Sequence, residues 1–280
     1  MDGTDECMCC NVRYHMNSHA LMVRNVQLPV GRTRVELRGA GPPLLYLHGL
    51  TATPDVAALE APRGYRLALP YQRGHGDLDW PTTEADYSLG AFVDDARAVL
   101  DELGWDRVDV GGTSMGAAVA LRLALDHPDR VRRVFLGGPA LSDRPNPDAS
   151  ILVDMAGFLA GDDMEACIEE LVAWQRSRDV PVEMETAVRR FSAHRPAQLR
   201  AALRTVARWV VFESDELRRL PQAFVVGWPD DPLHPLDLAE RIAAEAGAPL
   251  GLAPGLIDVV VDPSTVSRAW PLDKPSGLTR

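Results

Sequence analysis

Ser114 stands between two glycines, each two residues away, in Gly112-Thr113-Ser114-Met115-Gly116. A β-rich run, VDV, precedes this stretch and an alanine-rich helical run follows it. A serine at such a corner projects its Oγ from a strained turn, and bulky residues at plus or minus two would block that turn. The implied chemistry is nucleophilic. The hydroxyl then needs a base to take its proton, usually a histidine oriented by a carboxylate. The backbone N–H of Met115, at the helix N-terminus, points where an oxyanion would form. A phosphate-binding turn is the alternative, but the stretch lacks both the Walker lysine and the G-x-G-x-x-G spacing.

The elements that would position this serine follow from hydropathy. Thr33 to Leu37 alternates like a half-exposed strand, and Pro43 to Leu47 is a continuous apolar run suited to a strand buried on both faces. Tyr65 to Pro70, Arg107 to Val110, Val131 to Leu136 and Ala223 to Val226 are further strands. Ser88 is placed to N-cap a helix carrying Phe92, Ala96, Val99, Leu100 and Leu103 on one face, with Gly104 ending it. Ala117 to Asp126 and Leu236 to Ala246 are helices, the latter closed by Gly247. Strands alternating with helices predict an α/β fold with a doubly wound, mostly parallel sheet. Between Leu141 and Leu220 the strand signal disappears and amphipathic helices replace it. So long an insertion predicts a helical lid over the C-terminal edge of the sheet.

Four stretches in order, LLYLHGL, LPYQRGHGD, GGTSMG and GWPDDPLHP, resemble the α/β-hydrolase family of esterases, lactonases and related enzymes over roughly residues 30 to 245. The resemblance implies an α/β-hydrolase fold with Ser114 as nucleophile and Asp231 as triad acid, Asp230 being the fallback. It implies oxyanion donors at the backbone N–H groups of Leu50 and Met115. His48 becomes a structural, hydrogen-bonded histidine behind the oxyanion loop. Arg73-Gly74-His75-Gly76 becomes the turn beside the site, with His75 facing solvent. The family order is serine, acid, histidine, yet no histidine follows His234.

Three readings of the base stay open. In one, the tail is not the native C-terminus and the domain has lost its base. In another, His234, on the acid's own loop, substitutes; against it stands the favoured view that His234 only shapes the loop. In the last, His194 of the insertion reaches Ser114, the alternative being a surface residue. Lys274, the only other amine beyond the acid, has solvated surroundings.

The resulting expectation is hydrolysis of a small carboxylic ester or lactone through an acyl-enzyme, with no metal and no cofactor. The alternatives are a catalytically inactive domain of the same fold that binds a ligand or partner, and a cofactor-free lyase. Met155, Phe158, Leu159, Trp174 and Phe191 of the insertion would supply an apolar pocket, though core packing needs the same residues.

Composition bounds these readings. The 280 residues are 46% hydrophobic and 25% charged, ordinary for a globular chain, and suffice for one large α/β domain with an insertion. A net charge of -11 argues against nucleic-acid or anionic-membrane partners. No run of about 18 apolar residues could span a membrane. The first residues lack the pattern of a secretory signal, which predicts a cytoplasmic location without disulfides and Cys167 as a buried apolar residue.

The ends differ in style from the body. Cys7, Cys9 and Cys10 crowd the N-terminus, and Lys274 is the only lysine among 29 basic residues. The expected organisation is an atypical extension over 1–21, a core over 22–141, the helical lid over 142–220, a second core segment over 221–255 and an atypical tail over 256–280. Ile257 to Val261 within that tail still has strand character. Cys7, Cys10, His15 and His19 have zinc-ligand spacings within each pair, but only four residues separate the pairs where a zinc finger needs about twelve, so no metal site is expected there.

Overall fold

The computed structural model describes residues 21–177, 183–213, 215–231, 233–253 and 264–270. Its centre is an eight-stranded sheet in the order β1-β2-β4-β3-β5-β6-β7-β8. The strands are β1 (Met22–Leu28), β2 (Gly31–Arg38), β3 (Pro43–Leu47), β4 (Arg66–Pro70), β5 (Val108–Thr113), β6 (Val131–Gly137), β7 (Gln222–Gly227) and β8 (Leu250–Leu252). The pairs β1–β2 and β2–β4 are antiparallel, and every other pair is parallel.

Side chains alternate across the pleat, so each central strand feeds two cores. Leu45 and Leu47 of β3 join the layer containing helices α2 (Leu89–Leu103), α3 (Met115–Asp126) and α8 (Leu236–Ala246). Leu44 and Tyr46 join the opposite layer, with α1 (Pro54–Glu60) and α9 (Ser264–Ala269). Helices therefore cover both faces, and the doubly wound architecture expected from the sequence is present. Ser88 accepts from the N–H of Ala91 at the start of α2, and Gly104 closes that helix at φ 66°. The antiparallel strand β1 and the three-residue edge strand β8 have no counterpart in the hydropathy reading.

The segment between β6 and β7 is helical, with α4 (Ser150–Phe158), α5 (Met164–Arg176), α6 (Glu183–Arg189) and α7 (Pro196–Val206). It has its own apolar cluster, including Leu159, Ile168, Leu171 and Phe191. Helix α7 ties it to the sheet layer: Leu199 and Leu203 face that cluster, while Ala201, Ala202 and Val206 face the main core.

Of the tail expected to be atypical, residues 264–270 are described. Val266 and Trp270 are buried in the core beneath the sheet, and Trp270 Nε1 donates to the carbonyl of Glu60 at 3.0 Å. The cysteine and histidine pairs of the first twenty residues, the strand at Ile257 to Val261 and Lys274 lie outside the described residues. No helix among the described residues is long and apolar enough to cross a membrane.

Candidate active site

Strand β5 lies between β3 and β6, and its C-terminal end delivers Ser114 to the centre of the sheet edge. Ser114 has φ 55° and ψ -116°, a strained conformation for a residue with a Cβ. The flanking glycines are required sterically. A Cβ on Gly116 would stand 2.0 Å from the carbonyl oxygen of Leu47, and one on Gly112 would stand 2.4 Å from the carbonyl carbon of Gly116. Helix α3 starts at Met115, whose N–H has no carbonyl four residues earlier to bond. Leu50, after β3, and Met115 both line the cavity that holds Ser114.

The loop after β7 carries Asp231 and His234. Asp231 Oδ1 accepts the backbone N–H of Leu233 at 2.9 Å and that of His234 at 3.2 Å, a tight turn that fixes the loop. Its other oxygen, Oδ2, accepts from His234 Nδ1 at 3.0 Å. His234 Nε2 faces Ser114 Oγ at 2.9 Å. The carboxylate can only accept, so Nδ1 bears the proton and Nε2 is free to accept from the hydroxyl.

Three supports hold this arrangement. The Trp228 ring packs edge-on against the imidazole with centroids 4.3 Å apart, Asn146 Nδ2 donates to the carbonyl of Leu233 at 3.2 Å, and Asp231 and His234 are both buried. Burial alone would raise the Asp231 pKa. The hydrogen bond and charge of His234, with the two backbone N–H groups, outweigh it and hold the carboxyl below its ordinary value.

The structure thus brings Ser114, Asp231 and His234 together, against the view of His234 as a residue that only shapes its loop. Asp230, the fallback acid, is exposed at φ 58° while its neighbour turns inward. His194 does not approach Ser114. Its Nε2 donates to the carbonyl of Thr51 at 3.0 Å, and its Nδ1 accepts from Gly76 N–H at 2.9 Å.

His75, expected to face solvent, is 0% exposed. The left-handed backbone at Gly74 and Gly76 folds its ring inward, where Nε2 accepts from Thr51 N–H at 3.1 Å. His48 is hydrogen-bonded behind the loop as expected: its Nε2 accepts from Gln72 N–H at 3.0 Å. Burial is the leading cause that holds all three of these histidines below their ordinary pKa, His48 at about 3.

The cavity over Ser114 measures about 160 Å³. Leu141, Leu152, Met155, Val188 and Phe191 give it apolar walls, most of them from the insertion. Phe158, Leu159 and Trp174 pack instead within the insertion's own cluster. Several polar lining residues escaped the sequence reading, Glu60, Gln175, Asn146 and Arg190 among them. Glu60 ends α1, a helix the hydropathy does not announce, and Gln175 lies on the inner face of α5. An acid at a helix C-terminus opposes the helix dipole, which is the one local signal that could have marked Glu60.

With this geometry in view, the chain belongs to the alpha/beta hydrolase fold family, whose model matches residues 42–225. Hydrolases are among its relatives. A 2-hydroxymuconate semialdehyde hydrolase from Pseudomonas sp. (strain CF600) is 38% identical over 117 residues, covering 39% of this chain and 40% of that protein. Epoxide hydrolase 2 from Siraitia grosvenorii is 34% identical over 137 residues, covering 46% of this chain and 42% of that protein. The matches thus span about two fifths of the length of these curated relatives. A solved esterase from Thermogutta terrifontis superposes with a TM-score of 0.69 at 21% identity, over 89% of this chain and 96% of that one, a likeness of fold.

Proposed function

We propose that this chain is a serine hydrolase acting on a small carboxylic ester or lactone. The observation that carries the reading is the continuous link from Asp231 Oδ2 through His234 to Ser114 Oγ, with contacts of 3.0 and 2.9 Å. Ser114 Oγ attacks the acyl carbon while His234 Nε2 takes its proton. The carbonyl oxygen becomes an oxyanion accepting from the N–H groups of Leu50 and Met115. Collapse expels the alcohol, which takes the proton from His234 and leaves an acyl-Ser114 ester. Water then attacks, giving its proton to His234 and releasing the acid as Ser114 recovers its hydrogen. For a lactone the expelled alcohol stays tethered to the acyl group, and one hydroxy acid leaves.

The unusual feature is the origin of the base. A turn of three residues places it on the acid's own loop, so histidine and carboxylate arrive as one unit. The helical insertion acts as a lid, supported by its contribution to the cavity walls. A cytoplasmic location belongs to the same reading, supported by Cys167, a buried free thiol.

Labelling by a fluorophosphonate, read by intact mass, tests the proposal without knowledge of the substrate. One label per chain on the wild type, none on Ser114→Ala and severe slowing in His234→Ala are expected. A wild type that labels no faster than Ser114→Ala would make this an inactive scaffold that binds a ligand.

A further inference from the structure

The cavity over Ser114 has mostly apolar walls, with Thr51, Asn146 and Arg190 among its polar lining, and three of its lining residues carry an unpaired buried polar atom. Glu60 Oε2, Gln175 Oε1 and Trp228 Nε1 have no hydrogen-bond partner among the described residues. Their residues are 4%, 5% and 2% exposed, and all three line this cavity. They come from unrelated elements: the end of α1, the middle of the insertion and the loop after β7. Buried polar atoms are normally paired, because an unpaired one forfeits its hydration. Three such atoms, on residues that line one cavity beside Ser114, mark a place where a ligand could complete the bonding.

The set comprises two acceptors and one donor, as a group that both gives and takes hydrogen bonds requires, and Arg190, in the same cavity wall, already sets its charge against Glu60. Thr113 joins this region to the nucleophile. Its hydroxyl shares a hydrogen bond with Tyr46 at 2.9 Å and lies beside the Glu60 carboxyl, one residue from Ser114. Burial raises the Glu60 pKa to about 7, moderated by the hydrogen bond from Thr113 and the charge of Arg190. Near neutral pH Glu60 is thus divided between an acceptor and a neutral acid.

We propose that Glu60, Gln175 and Trp228 form a polar pole selecting substrates whose acyl part carries a hydroxyl group on an otherwise apolar chain. The inference rests on the serine-hydrolase reading for the use of the cavity. The hydroxyl donates to Glu60 or Gln175 and accepts from Trp228 Nε1, while Leu152, Met155 and Phe191 cover the chain. A plain alkyl ester leaves those atoms unpaired and is disfavoured, as sites built around a hydroxyl reject analogues that lack it.

Binding of methyl hexanoate, methyl 3-hydroxyhexanoate and methyl 6-hydroxyhexanoate to Ser114→Ala, followed by calorimetry, tests this separately from turnover. At least one hydroxy ester should bind about tenfold more tightly than methyl hexanoate. Adding Glu60→Leu or, should that variant fail to fold, Gln175→Leu should abolish the preference. Equal binding of all three esters, or a preference that survives both substitutions, overturns the proposal. Hydroxy-ester preference in Ser114→Ala, with no turnover of any ester by the wild type, would sink the hydrolase reading and leave the polar pole standing.

Discussion

Four buried histidines surround the catalytic edge of the sheet, and their partners divide them sharply. His48, His75 and His194 each accept a backbone N–H through one nitrogen and meet a backbone carbonyl with the other. Both sites of each neutral ring are therefore filled. An added proton would point at an N–H. His234 has a carboxylate on one side and a hydroxyl on the other. A hydroxyl can donate to a neutral ring and accept from a charged one, and a carboxylate favours the charged form. The first three rings are built to stay neutral, whereas the fourth links a carboxylate to the Ser114 hydroxyl. Burial is common to all four, so partner chemistry rather than depth separates the proposed proton carrier from the structural rings.

The most severe way to break this contrast is to remove His234 or Ser114. His234→Ala and Ser114→Ala should each lower kcat by about 10⁴-fold or more with folding intact, measured by ester turnover and circular dichroism. Asp231→Asn should cost about 10³–10⁴-fold, because an amide no longer selects the Nδ1–H tautomer. Retention of full activity in His234→Ala would end the distinction drawn between the rings.

The converse substitution strikes a structural ring. His75→Leu orphans the N–H of Thr51 and the carbonyl of Arg73, and should cost about 3 kcal/mol in denaturant unfolding. Its effect on catalysis runs through position rather than chemistry. Thr51 has φ 68° and follows Leu50, the proposed oxyanion donor. His75 holds its N–H while His194 holds its carbonyl. The expected result is a fall in kcat of about tenfold with little change in KM, as slight misplacement of a donor weakens the transition state. A loss as large as that of His234→Ala would mean that His75 handles protons as well.

The same division explains what could be read without coordinates. Sheet, elbow and family were legible because they depend on local patterns: an apolar run for β3, a β-rich run for β5, and glycines that only an elbow demands at 112 and 116. Strand β1 escaped because four of its first residues are exposed and show no alternation, and β8 because three residues are too few for a pattern. His75 was misjudged for a different reason. R-G-H-G reads as a polar turn, and the groups that enclose His75 come from elsewhere: the His48 ring, the Thr51 N–H, and His194, which lies 118 residues beyond Gly76. The order of a family's triad likewise says nothing of a loop tight enough to turn His234 back onto Asp231. Local chemistry survives in sequence, but the identity of a ring's partners does not.

A smaller effect, in pH, sharpens the comparison. His48, His75 and His194 have folded pKa values below the ordinary 6.5, His48 at about 3. In the interval between, the unfolded chain binds more protons than the folded one, so stability is full above pH 6.5 and falls as the medium is acidified. Glu60 acts in the opposite sense. Its folded pKa of about 7 lies above the ordinary 4.5, so its contribution is full below pH 4.5 and is lost as pH rises to 7. Between pH 7 and 5 the acid therefore masks part of the loss due to the histidines. Glu60→Gln keeps the shape and removes that titration. Urea unfolding of this variant at pH 7, 6 and 5 should show a steeper decline than the wild type over the same interval. A Glu60→Gln protein whose stability is flat from pH 7 to 5 would mean that the three rings accept protons without penalty, and the line between them and His234 would disappear.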